Sequence, residues 1–312
     1  MTEIVTYDDI KAAAERIADH IRPVALARAG AELWFALEHL QHTGSFKARG
    51  AANFVATHVA AGTMPEAGIV IASGGNAGLA NAWAAVRHGV PVTVFTPTTS
   101  PAVKVARIRA LGARTRQVGT EYDDALAASR EHAASTGALL SHAYDHPLVA
   151  AGAGTLLEEI RRAGPDLDTV IVACGGGGLF AGVAAAAHVH GVRVVAVEPA
   201  GCPTLHAALA AGRPVEVGVE SIAADALGAR FVTPAALHWA RQGDVRPVLV
   251  PDAAITVARR TLWEEHRIVV ENAAAAAYAA LHSGAYQPAP GEKVCVVLCG
   301  ANTDPSDLVA GP

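Results

Sequence analysis

Short runs of β-branched and other apolar residues alternate along this chain with longer stretches whose apolar positions recur every three or four residues. GIVIAS, PVTVFTP, DTVIVAC and KVCVVLCG have the length and residue types of strands, and ELWFALEHL is a further strand candidate. YDDIKAAAERIADHI, SFKARGAANFVATHVAA, NAGLANAWAAVRHG and SPAVKVARIRALG read as helices, the first with acidic residues in its opening turn. The alternation continues through RTRQVG, DDALAASREHAAST, ALLSHA, AGAGTLLEEIRRAG, GLFAGVAAAAHVHG and VRVVAVEP. It runs late into AAITVARRTLWEEHRIVV and ENAAAAAYAALHSG, whose alanines read as a packed helix. Strand–helix alternation of this kind predicts an α/β fold of parallel sheets covered by helices. No tract has linker composition, no repeat stands out, and composition marks no domain boundary.

Composition narrows the classes. The 312 residues suffice for one large or two ordinary domains, and 52% hydrophobic against 17% charged residues fits a compact soluble protein. A net charge of −5 argues against a nucleic-acid partner. Apolar runs break well before the ~18 residues of a membrane span, so no membrane partner is expected. The opening MTEIVTYDDIKAAAERI is polar from the start and reads as no signal peptide. Cys174, Cys202, Cys295 and Cys299 lack metal spacing. Within a strand, Cys295 and Cys299 would lie about 13 Å apart, too far to share an ion. A reduced, cytoplasmic protein is expected.

Two segments carry chemistry. In DTVIVACGGGGLFAGVAAAAHVHG a strand runs through Gly175, Gly176, Gly177 and Gly178 into a helix. Glycines let several backbone N–H groups converge on one anion at a helix N-terminus, which predicts a phosphate site; the alternative is a tight turn with no ligand. Gly176, Gly178 and Ala181 also fit G-x-G-x-x-A, with Glu198 about twenty residues on. An NAD-dependent dehydrogenase is therefore a rival on these residues alone. In HTGSFKARGAANF, Lys47 follows a Thr-Gly-Ser turn at a helix start, where the dipole favours a neutral amine and hence Schiff-base chemistry. A solvated surface Lys is the plainer alternative.

LEHLQHTGSFKARGAANF resembles the cofactor-lysine segment of the fold type II pyridoxal-phosphate (PLP) enzymes, in the serine/threonine dehydratase group. ASGGNAGLANAWAAVRHGVPVTVFTP, SPAVKVARIRALGA, SHAYDHPLVAAGAGTLLEEI, CGGGGLFAG, AVEP, ALGAR and VCVVLCGAN follow in the family's order, so the resemblance covers nearly the whole chain. It implies two domains, each an open parallel-rich sheet with helices on both faces, with PLP in the cleft between them. The large domain would comprise 1–44 and 143–312 and the small one 45–142. It implies β-elimination of a β-hydroxy amino acid such as L-threonine or L-serine to a 2-oxo acid and ammonia, by a cytoplasmic homodimer of amino-acid catabolism.

Site roles follow by matching motif. Lys47 resembles the lysine that carries PLP and moves the Cα proton. Phe46 resembles the residue packed against the cofactor ring, and Asn76 the partner of its 3′-oxygen. Ser73, Gly74, Asn76 and Ala77 resemble the loop that holds the substrate carboxylate. Gly175, Gly176, Gly177 and Gly178, with Leu179, resemble the phosphate cradle, and Cys299 the partner of the pyridine nitrogen. HRIVVE, residues 266–271, is a weaker pointer that brings Glu271 toward the cofactor by analogy. Glu198, Cys202, Thr204, Leu227 and Ala229 match a metal site; one carboxylate among neutral oxygens suits K⁺ better than Mg²⁺.

Three departures sharpen the expectation. Cys299 offers only a weak partner to the ring nitrogen, which favours prompt elimination. Gly74 stands where related serine racemases carry a Ser that acts as a second acid/base, so a dehydratase is expected. The chain ends soon after Cys299, so the regulatory domain of biosynthetic threonine deaminases is expected to be absent. Remaining alternatives are 3-hydroxyaspartate dehydratase, a threonine synthase-like or other β-replacement enzyme, and a non-catalytic relative. The preferred amino acid is not legible.

Overall fold

The computed structural model describes residues 4–309. Its ten strands are β1 (Leu26–Arg28), β2 (Leu33–Ala36), β3 (Ile69–Ala72), β4 (Val92–Thr96), β5 (Arg114–Gln117), β6 (Leu139–Leu140), β7 (Thr169–Ala173), β8 (Arg193–Pro199), β9 (Val245–Val250) and β10 (Val294–Val297). They form a six-stranded sheet in the order β1-β2-β10-β7-β8-β9 and a four-stranded sheet in the order β5-β4-β3-β6. Every pairing is parallel except β1 with β2. This is the α/β arrangement that the strand–helix alternation predicts.

The central strands β3, β7 and β10 are buried at every position, which is why they read as unbroken apolar runs rather than alternating ones. Edges look different. RTRQ of β5 is largely exposed and carries two arginines, a composition that discourages further strand pairing. Patterning did not single out β9. Its VRPVLV contains Pro247, which a ladder tolerates only at an edge, and β9 pairs with β8 alone.

In each sheet the strand order reverses once. From β3 the chain proceeds outward through β4 to β5 and then returns to place β6 on the other side. From β7 it proceeds through β8 to β9 and returns to place β10 on the other side. Crevices beyond the carboxyl ends of strands at such reversals are where open α/β sheets bind ligands. β3 runs into Ser73, Gly74, Gly75 and Asn76, β7 into the glycine loop, and β10 into Cys299.

Three helices lock the lysine segment to the glycine segment. The helix Pro147–Ala163 packs against both Lys47–Ala60 and Gly178–His190. Contact is backbone to backbone: a Cβ on Gly152 would meet the Arg49 carbonyl oxygen at 2.5 Å, and one on Gly182 the Ala150 carbonyl oxygen at 2.1 Å. Arg49 is fully buried and pairs with Glu38 at 2.7 Å and Glu159 at 2.6 Å, anchoring the start of the Lys47 helix. The helix Asn272–His282 is the buried Ala-rich segment, packed under the large sheet. No helix among the described residues is long and apolar enough to cross a membrane.

Candidate active site

A cavity of about 370 Å³ opens where the carboxyl ends of β3, β7 and β10 converge. Its wall brings together Phe46, Lys47, Ser73, Gly74, Asn76, Ala77, the glycine loop, Leu179 and Cys299, residues far apart in sequence.

The glycine loop is shaped by what cannot be there. A Cβ on Gly176 would lie 2.3 Å from Tyr144 ring carbons, and one on Gly178 2.7 Å from the Tyr144 carbonyl oxygen. Gly177 has φ +93°, a left-handed conformation, and a Cβ there would meet Ala236 Cβ at 2.5 Å. The helix Gly178–His190 that follows has no side-chain cap. Its first-turn N–H groups are unclaimed by side chains and sit at the positive end of the dipole, a donor set suited to a phosphate.

Lys47 is the first residue of its helix. Its Nζ donates to the Ala143 carbonyl oxygen at 2.8 Å and sits 4.7 Å from the centre of the Phe46 ring. Burial lowers its amine to about 8, with the nearby Glu271 pulling it partly back up. The tendency toward the neutral amine thus comes first from enclosure, a cause that the sequence argument from the helix dipole did not include. The turn before it is tied to the segment that follows β10. Phe46 N–H donates to the Cys299 carbonyl oxygen at 3.0 Å, and Ala301 N–H to Gly44 O at 3.0 Å. Burial pushes the Cys299 thiol well above its ordinary range, so it stays neutral.

Across the cavity, Gly75 N–H donates to Ser73 Oγ at 3.3 Å and shapes the loop after β3. Gly74 has no side chain to offer, but a Cβ there would be only 3.2 Å from Ser100 Oγ, with no closer atom. Asn76 Nδ2 donates to both oxygens of Glu271, at 2.8 and 3.0 Å. Tyr122, Tyr144 and Asp225 also line the cavity without having been singled out. They lie outside the central strands or at loop positions with no periodic signal. Tyr144 stood inside the family-like segment SHAYDHPL, the one hint available.

Glu198 is fully buried, and its carboxylate caps the helix Thr204–Ala211. Oε1 accepts from Leu205 N at 2.6 Å and from Thr204 Oγ1 at 3.0 Å, and Oε2 from His206 N at 2.9 Å. Burial pushes its carboxyl up to about 7 against the pull of these donors. Engaged in this way, Glu198 cannot reach a ribose hydroxyl, and the NAD reading of Gly176, Gly178 and Ala181 is set aside. Thr204 Oγ1 also donates to the Gly175 carbonyl oxygen at 2.6 Å, and Leu227 packs directly on Gly175. Cys202 is buried nearby and Ala229 lines the cavity. Among the described residues no group of three or more His, Cys, Asp or Glu is placed to hold a metal ion.

A cradle that any Cβ would fill, uncapped amides, an enclosed lysine amine and a neutral thiol at a strand end fit PLP. The family profile for pyridoxal-phosphate dependent enzymes matches residues 17–300. An L-threonine ammonia-lyase of Geobacter sulfurreducens is 35% identical over 311 residues, covering 96% of this chain and 76% of that protein. A serine dehydratase-like protein of Mus musculus is 34% identical over 286 residues, covering 88% and 86%. Among solved structures, maize serine racemase superposes with a TM-score of 0.90 at 28% identity, covering 98% of this chain and 96% of that one.

Proposed function

The chain belongs to the pyridoxal-phosphate dependent enzyme family, and on that premise we propose that it converts a small β-hydroxy amino acid, such as L-threonine or L-serine, into a 2-oxo acid and ammonia. The observation that carries this reading is the meeting of the Lys47 amine, the glycine cradle and Cys299 on one cavity wall. When bound, PLP supplies an electron sink that acidifies the substrate Cα–H.

The chain's own residues do the rest. The amides of residues 175–179 would bind the phosphate group, and Lys47 Nζ would hold the cofactor covalently between turnovers. The same Nζ, once free, would remove the Cα proton; a pKa lowered to about 8 leaves it basic while making the neutral amine accessible slightly above neutral pH. Ser73, Gly74, Asn76 and Ala77 hold the substrate carboxylate, and Phe46 flanks the ring. Cys299, a neutral and weak partner for the ring nitrogen, does little to prolong charge at Cα, so loss of the β-hydroxyl is favoured. Gly74 carries no proton for the opposite face, which supports a dehydratase over a racemase despite the likeness to maize serine racemase.

The reading includes residues 45–142 as a smaller domain within a larger one of 1–44 and 143–312, a homodimer, and a cytoplasmic location, which the four free buried thiols fit. It also includes K⁺ held by Glu198, Cys202, Thr204, Leu227 and Ala229. The direct test is to incubate the PLP-loaded protein with L-serine, L-threonine and bulkier β-hydroxy amino acids, with no added nucleophile. Release of 2-oxo acid and ammonia in equal amounts is expected. Turnover only when a second nucleophile is supplied would replace elimination with β-replacement.

A further inference from the structure

Glu271 is a buried carboxylate with no salt bridge among the described residues; the Lys47 amine acts on it only at longer range. It stands at the N-cap of the helix Asn272–His282, yet its side chain caps nothing there. It turns instead into the cavity, where both oxygens accept from Asn76 Nδ2. Room for it exists because residue 300 is glycine: a Cβ on Gly300 would lie 2.5 Å from Glu271 Oε1.

The other end of the Asn76 amide is held as well. Asn302 Nδ2 donates to Asn76 Oδ1 at 2.6 Å and to the Thr43 carbonyl oxygen at 2.8 Å, and Asn302 Oδ1 accepts from Arg107 at 2.8 Å. Thr43 has φ 62°, an uncommon conformation for a non-glycine residue, in the turn that leads to Lys47. Asn76 and Arg107 belong to helices on the four-stranded sheet, whereas Glu271 and Asn302 flank elements of the six-stranded one. The chain Arg107–Asn302–Asn76–Glu271 therefore crosses between the sheets at each step.

We propose that Glu271 and Asn302 are positioning residues that clamp the Asn76 amide from both ends, so that an N–H, not a carbonyl, faces the cofactor. A carboxylate only accepts hydrogen bonds, so it admits only the amide orientation with Nδ2 toward it. One N–H shared by the two oxygens leaves the second for an anionic ring oxygen. Without the clamp the amide can turn over and present Oδ1, which repels that oxygen. The clamp also ties the turn before Lys47 to the same amide, so the covalent anchor and this donor are set together. The inference rests on the reading of the cavity as a PLP site.

The test uses the full-length protein loaded with PLP. It measures the equilibrium constant for PLP and the visible absorption band, with thermal melting as a folding check. Glu271→Ala should weaken PLP binding roughly ten- to hundred-fold, the effect of removing a charge-assisted hydrogen bond, and should shift or weaken the visible band. Glu271→Gln, whose amide oxygen still accepts from Asn76, should restore most of both. Gly300→Ala, which displaces the carboxylate without removing it, should behave like Glu271→Ala. Asn302→Asp, which can no longer donate to Asn76 Oδ1, should move the band in the same way. Wild-type affinity and an unaltered band in Glu271→Ala and Asn302→Asp would overturn the clamp, as would a Glu271→Gln protein that folds but is as impaired as Glu271→Ala. Failure of the unaltered protein to bind PLP would instead strike the underlying site reading.

Discussion

At the cradle end of the cleft, Glu198 is a buried carboxylate whose oxygens are taken up by the first turn of the helix Thr204–Ala211. At the lysine end, Glu271 is also buried, but it leaves its own helix uncapped and engages Asn76. The same side chain in similar burial serves two ends. One carboxylate satisfies backbone donors that would otherwise be stranded, and the loop beside it is shaped by close packing and by donors to its own carbonyls. The other is a buried charge with no structural debt to settle, and it orients a side chain that faces the cavity. A buried ionisable group that does not stabilise its own element is the better pointer to function.

Mutations at the two ends should therefore fail differently. The largest effect is expected at the lysine end, where Lys47→Ala should lower turnover ~10³-fold or more and abolish the visible band, because anchor and base are one group. Near-normal turnover in that variant would sink the assignment. At the cradle end, Gly177→Ala forces a side chain into a left-handed conformation 2.5 Å from Ala236 Cβ. It should weaken PLP binding roughly ten-fold or more, while whatever PLP remains bound keeps the wild-type band. A displaced band would mean that the two ends are not separable.

Glu198→Ala strands the Leu205 and His206 N–H donors, so a stability loss of about 1–3 kcal/mol is expected in chemical denaturation. A normal band should persist. In tetramethylammonium buffer the unaltered enzyme should lose activity and regain it with K⁺. Full activity without any metal cation would dispose of the K⁺ site.

A pH series separates the ends further. The Lys47 amine, lowered to about 8 by burial, is protonated below that value and neutral above it. The apoprotein should take up PLP faster as pH rises through about 7 to 9 and level off beyond, as followed by growth of the visible band. A rate that is flat across this window would contradict the enclosed amine.

The smallest change is expected from Gly74→Ser. The added Cβ comes closest to Ser100 Oγ at 3.2 Å and otherwise makes ordinary contact with Thr96, so the loop should accept it with a slight shift. Chiral analysis should then find a small D-serine fraction where the unaltered enzyme gives almost none. Substantial D-serine from the unaltered enzyme would refute the argument from Gly74.

The sequence by itself determined the class of fold, because β3, β7 and β10 bury both faces and so must be apolar throughout, and helices must cover them. It also marked the glycine loop as a candidate phosphate site, since a run of four glycines between a strand and a helix has few other uses, while Lys47 stood out only through the family resemblance of its segment. β9 escaped it because an edge strand tolerates Pro247 and exposed residues, which blurs the pattern. Glu198 read as a ribose ligand until its helix was in place. Only the tertiary structure decided which of two buried glutamates is free to act. Periodicity reports which face of an element is buried, but the partners a buried side chain finds come from elements hundreds of residues away. Asn76 meets Glu271 and Asn302 only because the strand order reverses in both sheets and brings the ends of β3 and β10 to one cavity.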